Sequence, residues 1–221
     1  MKDFPVFPTE HGVASLTLRE IPYRQTAYIE VQDVQLGELP ALIEECVGFC
    51  RACGAERIFA GGRGDFPEES YHASVLEMRM NRLVREDPEA CLWPVTEQTV
   101  SRFRTIYNEA MADVDFAATL TAHQEREIAD CGGAYFVHRD GDLLGIGWMQ
   151  EEALKAIVSL KPGMGQTVAD ALFSVTPSEQ IRLEVASTNH RAIRLYERMG
   201  FLRTGEVMRW YRVFPAGSTK S

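Results

Sequence analysis

The chain of 221 residues lacks any run of about 18 apolar residues, and its start, MKDFPVFPTE, lacks a basic stretch followed by an apolar one. A membrane-spanning helix and a secretory leader need those patterns, so neither is predicted. Runs of Lys and Arg are missing too, and the formal net charge is -9. Because nucleic-acid binding needs clustered cations to neutralise phosphates, the charge argues against that class. We expect a cytoplasmic protein whose partner is a small molecule rather than a membrane or a nucleic acid.

Cysteine is scarce, and the five residues present, an odd number, argue against a framework of disulfides. Cys46, Cys50 and Cys53 have the CxxxCxxC spacing with which radical enzymes hold an iron-sulfur cluster. The same spacing also places three side chains on one face of a helix, where free cysteines are commonly buried. Three thiolates that hold a cluster need a loop, so we favour core cysteines. An iron assay distinguishes the two.

The composition, 45% hydrophobic and 25% charged, is that of a packed globular protein, and the length suits one large or two small domains. A polar break over residues 82–91, with Asp87-Pro88 at its centre, is the best boundary. It predicts a small α+β domain over residues 1–88 and a second domain over residues 89–221. The first domain is expected to contain strands at 14–20, 27–34, 57–60 and 72–80 and a helix at 39–53. The glycine-rich turn at 61–64 is followed by acidic residues, which argues against a phosphate site there.

The second domain begins with a short strand and two helices. Thr96 is expected to cap the first helix, whose apolar positions recur between residues 100 and 110. Thr121 and Gln124 have the spacing of a capping box for the second helix, which runs to about Ala129. Asp140-Gly141 then predicts a tight hairpin between strands at 134–138 and 143–150.

A strand, a glycine turn and a helix follow without a gap. The strand at 153–160 leads through Gly163-Met164-Gly165 into a helix with Val168 on its apolar face. Paired glycines let a backbone approach a pyrophosphate, and the free N–H groups of a helix start favour negative charge. The pattern alone is equally compatible with a tight turn that binds nothing.

A further helix carries a more specific signal. After a buried strand at 181–186 comes NHRAIRLYERMGF, with Asn189 at the N-cap and Gly200 at the end. It matches N-x-x-A-x-x-L-Y-E-x-x-G-F, the string that GNAT acyltransferases carry at this place. Together with Gly145 and the Gly163 turn, in the family's order, the chain therefore resembles that family over roughly residues 92–213.

The resemblance implies a three-layer α+β fold in which a mixed, splayed sheet is flanked by helices. Acetyl-CoA or another acyl-CoA would enter the gap between the strands that end near Leu160 and Ala186. Its pantetheine arm would pair with backbone near Val158 and Leu160, flanked by Asn189 and Ala192. Its pyrophosphate would rest on the turn and helix start formed by Gly163, Met164, Gly165, Gln166, Thr167 and Val168.

The resemblance also assigns catalytic roles. Tyr196 matches the tyrosine that gives a proton to the departing thiolate, although a core aromatic with a solvated hydroxyl is the alternative. Glu152 is the first candidate for the base that takes a proton from an amine, with Glu151 and Glu184 as competitors. Carboxylates at strand ends are just as often simply solvated.

One position departs from the family pattern. Arg or Gln normally stands three residues before the first glycine of the turn, where this chain has Leu160. Two functions therefore remain. The first is N-acyl transfer from acyl-CoA to an amine of a small molecule or peptide, without a metal. The second is an inactive module that binds CoA for regulation or assembly. The N-terminal domain repeats the order of strands and helices only weakly, and we interpret it as a degenerate GNAT-like half.

The sequence is compatible with a homodimer.

Overall fold

The structure, a computed structural model, describes residues 5–81 and 89–213. These residues form two compact units, one within Met1–Ser74 and Val207–Ser221 and the other within Val75–Glu206. The boundary predicted at residue 88, and most of the polar break around it, lies outside the described residues.

The predicted elements are present, with most ends shifted by one to three residues, whereas the strands at 6–8 and 202–212 and the helix at 21–24 were not predicted. The strands of the described chain are β1 (Val6–Pro8), β2 (Gly12–Thr17), β3 (Thr26–Val34), β4 (Arg57–Gly62), β5 (Tyr71–Asn81), β6 (Cys91–Pro94), β7 (Ala134–Arg139), β8 (Asp142–Gln150), β9 (Ala153–Ser159), β10 (Gln180–Ala186) and β11 (Leu202–Arg212). The helices are α1 (Ile21–Arg24), α2 (Leu39–Ala52), α3 (Val100–Met111), α4 (Glu125–Asp130), α5 (Gly165–Ser174) and α6 (His190–Arg198), with 3₁₀ turns at Glu68–Ser70 and Ala122–Gln124.

The first unit is a sheet covered by α2. Strands β1, β2 and β3 pair antiparallel in sequence order, and β4 returns parallel to β3 through the α2 crossover. The far end of β11 pairs antiparallel with β4, where Tyr211 faces Ala60. Helix α2 buries its apolar face against β2, β3 and β4 because its apolar residues recur at helical spacing.

The cysteines of α2 confirm the core prediction for two of three positions. Cys46 and Cys50 are fully buried, and burial raises the pKa of their thiols to about 11 and about 12. Both therefore stay protonated at neutral pH, unlike the thiolates that ligate a cluster. The prediction is wrong for Cys53, which is exposed because the helix ends one residue before it.

The second unit is a three-layer α/β/α arrangement around a mixed sheet, as predicted. Strands β6, β7, β8 and β9 pair antiparallel, β10 lies parallel to β9, and β5 pairs antiparallel with β10. Helices α5 and α6 bury Leu172 and Ile193 on one face, and α3 and α4 bury Phe103 and Ile128 on the other. Burial of each such side chain contributes about 1.5–3 kcal/mol before entropy is counted, so the helices on both faces stabilise the sheet.

Short sequence motifs predicted two local structures correctly and one helix start wrongly. Asp140 and Gly141 both have positive φ, as the predicted two-residue hairpin requires, and the Thr121–Gln124 capping box is formed. Helix α3, in contrast, begins after Thr99 and not Thr96. The amide of Thr96 donates to Thr99 Oγ1 at 2.9 Å, so these two residues close a separate turn before the helix. No helix in the described ranges is long and apolar enough to cross a membrane.

Candidate active site between two parting strands

Strands β9 and β10 part soon after they meet. Their parallel pairing covers only Ala153 with Arg182 and Leu154 with Leu183. Each strand keeps its outer neighbour, because β8 pairs with β9 as far as Ser159 and β5 pairs with β10 as far as Ala186. The predicted splayed sheet is therefore confirmed, with the gap opening toward the carboxyl ends of both strands.

A β-bulge explains where the strands part. Trp148 of β8 faces Ala156 and Met149 faces Leu154, so Lys155 is an extra residue in β9. A bulge bends its strand and strengthens the local twist. Since pairing with β10 stops at Leu154, immediately before the bulge, the bend turns β9 away from its parallel neighbour.

The gap opens into a cavity of about 310 Å³. Its walls are Ala153–Ile157 from β9, Arg182–Ala186 from β10 and a segment after α3, residues 114–118. Further lining residues are Asn189, Ala192 and Tyr196 of the α6 region, together with Val75, Tyr107 and Met111. Three of the residues assigned by the resemblance thus meet at one opening.

Tyr196 is buried, with 8% of its surface exposed, and its ring lies 5.6 Å from that of Phe201. Burial raises the pKa of its phenol, so the hydroxyl stays protonated throughout the neutral range. Within the described residues the hydroxyl has no hydrogen-bond partner. A neutral phenol at the wall of a cavity can donate to a ligand atom but cannot serve as a base.

Asn189 orients the start of α6. Its side-chain oxygen accepts a hydrogen bond from the Ala192 amide at 3.1 Å, the N-cap interaction predicted from the sequence. Such a cap contributes about 1 kcal/mol to helix stability. It also fixes the register of the helix, which brings Ala192 and Tyr196, four residues apart, to the same side of the cavity.

The glycine turn leaves backbone amides without partners. Gly163 has φ +81°, which a residue with a side chain adopts only with strain. Gly165 begins α5 at a point where an added Cβ would lie 3.0 Å from the Leu195 side chain. Within the described chain, the amides of Gly165, Gln166 and Thr167 have no acceptor. Three unpaired N–H groups at the positive end of a helix suit an anion.

Two side chains near this turn carry positive charge. Lys161 forms an ion pair with Asp142, and Arg139 pairs with Glu89 at 2.9 Å while its Nη2 lies 3.8 Å from the sulfur of Met164. Leu160, at the position where the family has Arg or Gln, is 45% exposed. Lys161 and Arg139 both already have acidic partners.

The backbone that faces the gap is displaced by one residue from the prediction. The Leu160 amide donates to Leu144 O at 2.8 Å, toward β8, and Val158 faces Ile146 two residues earlier in the same ladder. Because alternate residues of a strand direct their hydrogen-bonding groups to opposite sides, Ile157 and Ser159 present theirs to the gap. The prediction of Val158 and Leu160 is corrected accordingly, and Ile157 lines the cavity.

The three candidate bases differ in their position relative to the cavity. Glu152 lies in the turn before β9 and outside the cavity lining, and its Oε1 is 3.0 Å from Arg182 Nε. The hydrogen bond from Arg182 lowers the pKa of this carboxyl, which makes it a weaker base. Glu151 lies in the same turn. Glu184, in contrast, lies on β10 at the cavity wall, opposite the strand that carries Lys155.

Sequence reasoning missed the segment that closes the cavity after α3. Thr188 Oγ1 donates to Asp115 Oδ2 at 2.7 Å, so this segment is bonded to the loop that precedes α6. Phe116 has φ +61°, a rare conformation for a bulky residue and one that occurs often at ligand sites. The stretch DVDFAAT has no periodicity and no motif, so no signal in the sequence pointed to it.

Comparison with solved structures identifies the fold. A conserved protein of unknown function from Staphylococcus epidermidis aligns with TM-score 0.61 at 10% identity, over 96% of this chain and 94% of its own. A GCN5-related N-acetyltransferase from Sphaerobacter thermophilus aligns with TM-score 0.59 at 13% identity, over 92% and 77%. A tandem GNAT protein from the clavulanic acid biosynthesis pathway aligns with TM-score 0.55 at 15% identity, over 93% and 80%.

These likenesses establish that the chain has the GNAT fold, as the sequence predicted. The match to the tandem protein spans both units, and the interpretation of the first unit as a degenerate GNAT-like half stays a prediction. No protein-family model matches the chain, and no curated protein does.

Proposed function

We propose that the chain transfers an acyl group, in the simplest case acetyl, from acyl-CoA to an amine of a small molecule or peptide. The observation that carries the proposal is the gap between β9 and β10, which opens into a cavity lined by Asn189, Ala192 and Tyr196. Neighbours that share the GNAT fold are N-acetyltransferases, and this supports the reaction class.

The chain's own groups fit an acyl-CoA. The unpaired edge of β9 at Ile157 and Ser159 offers backbone donors and acceptors to an extended chain that contains amides, as an added strand would use them. The free amides of Gly165, Gln166 and Thr167 offer donors to a diphosphate. When bound, the thioester supplies an activated acyl group and a thiolate leaving group.

Tyr196 acts on the leaving sulfur in this proposal. A thiol has a pKa near 8.5 and an unperturbed phenol one near 10, so a tyrosine hydroxyl can hydrogen-bond a developing thiolate. Because burial raises the pKa of Tyr196 further, full proton transfer is uphill. The expected contribution is therefore a hydrogen bond to the sulfur, and the departing thiolate takes its proton from solvent.

Glu184 replaces Glu152 as the candidate for handling the amine proton. An amine with a pKa near 10.4 is protonated at neutral pH and must lose a proton before it attacks. Glu184 is at the cavity wall, whereas Glu152 is paired with Arg182 outside it. The carboxylate of Glu184, directly or through a water, accepts that proton in this proposal.

A second function is favoured by one observation. Leu160 leaves the turn without the usual Arg or Gln, and Lys161 is paired with Asp142. A weak diphosphate site suits a module that binds CoA for regulation or assembly without turnover. Calorimetry with acetyl-CoA and a panel of amines separates the two, because binding without thiol release supports the module and absence of binding contradicts both.

The direct test is release of free thiol from acetyl-CoA in the presence of candidate amines. Tyr196→Phe removes only the hydroxyl and is expected to lower turnover by about 10²–10³-fold, the usual range for loss of one hydrogen-bond donor to a developing negative charge. Tyr135→Phe is the matched control, since its hydroxyl donates to Gly132 O outside the cavity. Equal turnover in the wild type and Tyr196→Phe would remove Tyr196 from the mechanism.

A further inference from the structure

A histidine in the first unit is surrounded by carboxylates. His11, in the loop between β1 and β2, has its Nδ1 2.9 Å from Glu38 Oε2. Its Nε2 lies 3.5 Å from Glu45 Oε1 and 3.7 Å from Glu10 Oε1. Glu38 is the N-cap residue of α2, and Glu45 lies two turns into the same helix. The two nitrogens of one ring thus face different partners.

The distances from Nε2 to the two carboxylates are close to those between ligands about a shared centre. Direct hydrogen bonds between nitrogen and oxygen span about 2.7–3.2 Å, and both separations here are longer. Ligands bonded to a tetrahedral Zn²⁺ at about 2.0–2.2 Å stand roughly 3.3–3.6 Å apart. The donor atoms of Glu10, His11 and Glu45 all lie within 4.8 Å of one another. They can therefore meet one cation with little movement.

Glu38 supplies the orienting contact that a metal-binding imidazole needs. If Nδ1 carries the proton and donates it to Glu38, Nε2 is left with a lone pair directed at the other two carboxylates. Histidines that bind metals commonly make such a bond, which fixes the tautomer and the ring plane. His11 is largely buried, with 22% of its side chain exposed, so the ring has little freedom to turn away.

The loop is held in place by its backbone. The His11 amide donates to Thr9 Oγ1 at 3.0 Å, and His11 O accepts from the Gln35 amide at 3.1 Å. The side-chain amide of Gln35 donates to Glu10 O at 2.7 Å. These bonds tie the loop to the end of β3 and hold both of its ligand residues against α2.

Three carboxylates converge here in a chain whose net charge is already -9. Among the described residues, none of the three pairs with a Lys or Arg. Like charges gathered at this spacing repel one another, and a bound cation would relieve that repulsion. We propose that Glu10, His11 and Glu45 form a site for a divalent transition-metal cation such as Zn²⁺, with Glu38 as the orienting partner. One nitrogen and two carboxylate oxygens suit Zn²⁺ and leave a coordination position for water.

The test is a calorimetric titration of the full chain, free of any affinity tag, with ZnCl₂. We expect one ion per chain. His11→Gln and Glu10→Gln should each weaken binding about 100-fold or more, and Glu38→Gln about 10- to 100-fold with unchanged stoichiometry. Glu44→Gln, adjacent on α2 but outside the cluster, is the matched control and should bind as the wild type does.

Two further measurements keep the result interpretable. Glu10 is 85% exposed, so Glu10→Gln should leave folding intact, which circular dichroism verifies without metal. A Co²⁺ titration followed by absorbance reveals thiolate ligation at exposed cysteines such as Cys53 through its charge-transfer bands. Absence of Zn²⁺ binding by the wild type, unchanged binding by His11→Gln, or loss of binding in Cys53→Ser would each overturn the proposal. None of these results depends on acyl transfer.

Discussion

Replacement of Leu160 by arginine should strengthen CoA binding. Leu160 directly follows β9 at the start of the glycine turn and is 45% exposed, so a longer side chain has room. A guanidinium that reaches a diphosphate in a partly exposed site gains roughly 1–2 kcal/mol. That free energy corresponds to a decrease in Kd of about 5- to 30-fold.

The assay is calorimetric titration of each variant with CoA and, separately, with pantetheine, which lacks the diphosphate. The gain should appear with CoA, be absent with pantetheine, and shrink as salt is added. Leu202→Arg is the charge-matched control, because Leu202 is 71% exposed at the start of β11. If Leu160→Arg binds CoA no better than Leu202→Arg does, or gains equally with pantetheine, the assignment of the turn as a diphosphate site is refuted.

Three further outcomes follow from the geometry. Asn189→Ala should lower the free energy of unfolding by about 1 kcal/mol through loss of the α6 cap, measured by urea denaturation, and a change below a few tenths would contradict it. A thiol reagent should leave Cys46 and Cys50 unmodified in the native protein, since burial raises their pKa to about 11 and about 12, and labelling of either would contradict that burial. Hydrogen bonding by Arg79 lowers the pKa of the Glu77 carboxyl to about 2. The ionised carboxylate therefore stabilises the folded state fully above the pKa of Glu77 in the unfolded chain, and this stabilisation is lost as pH falls toward 2. Glu77→Gln should abolish that part of the pH dependence when the free energy of unfolding is measured in acid.

The sequence predicted the parts of the site that are defined by local chemistry. Asn189 caps α6 because a cap depends on residues three apart, and Gly163 takes positive φ because only glycine does so without strain. Tyr196 was assigned by the resemblance of its helix to the family's string, and helical spacing only placed it on the same face as Ala192. Each of these signals lies within a single element, so it can be detected without knowledge of the neighbouring elements.

Contacts between residues far apart in the sequence could not be predicted from such local signals. Glu152 was preferred as the base because it precedes a central strand, but its position is set by Arg182 on β10, 30 residues later. Asp115 reaches the cavity through Thr188, 73 residues away. Neither partner is marked by spacing or by periodicity. Side chains that depend on such contacts have to be located from the fold.

The bulge at Lys155 connects the fold to the proposed chemistry. Residues 153–160 form an almost uninterrupted apolar run, and such a run predicts a regular buried strand with no mark for an extra residue. The bulge exists only in the register between β8 and β9. Yet it ends the pairing with β10 at Leu154 and moves the gap-facing amides to Ile157 and Ser159. The bulge is therefore the cause both of the one-residue shift in the gap-facing backbone and of the gap itself. A regular β9 would have continued its ladder with β10 and left neither an unpaired edge nor room for a thioester.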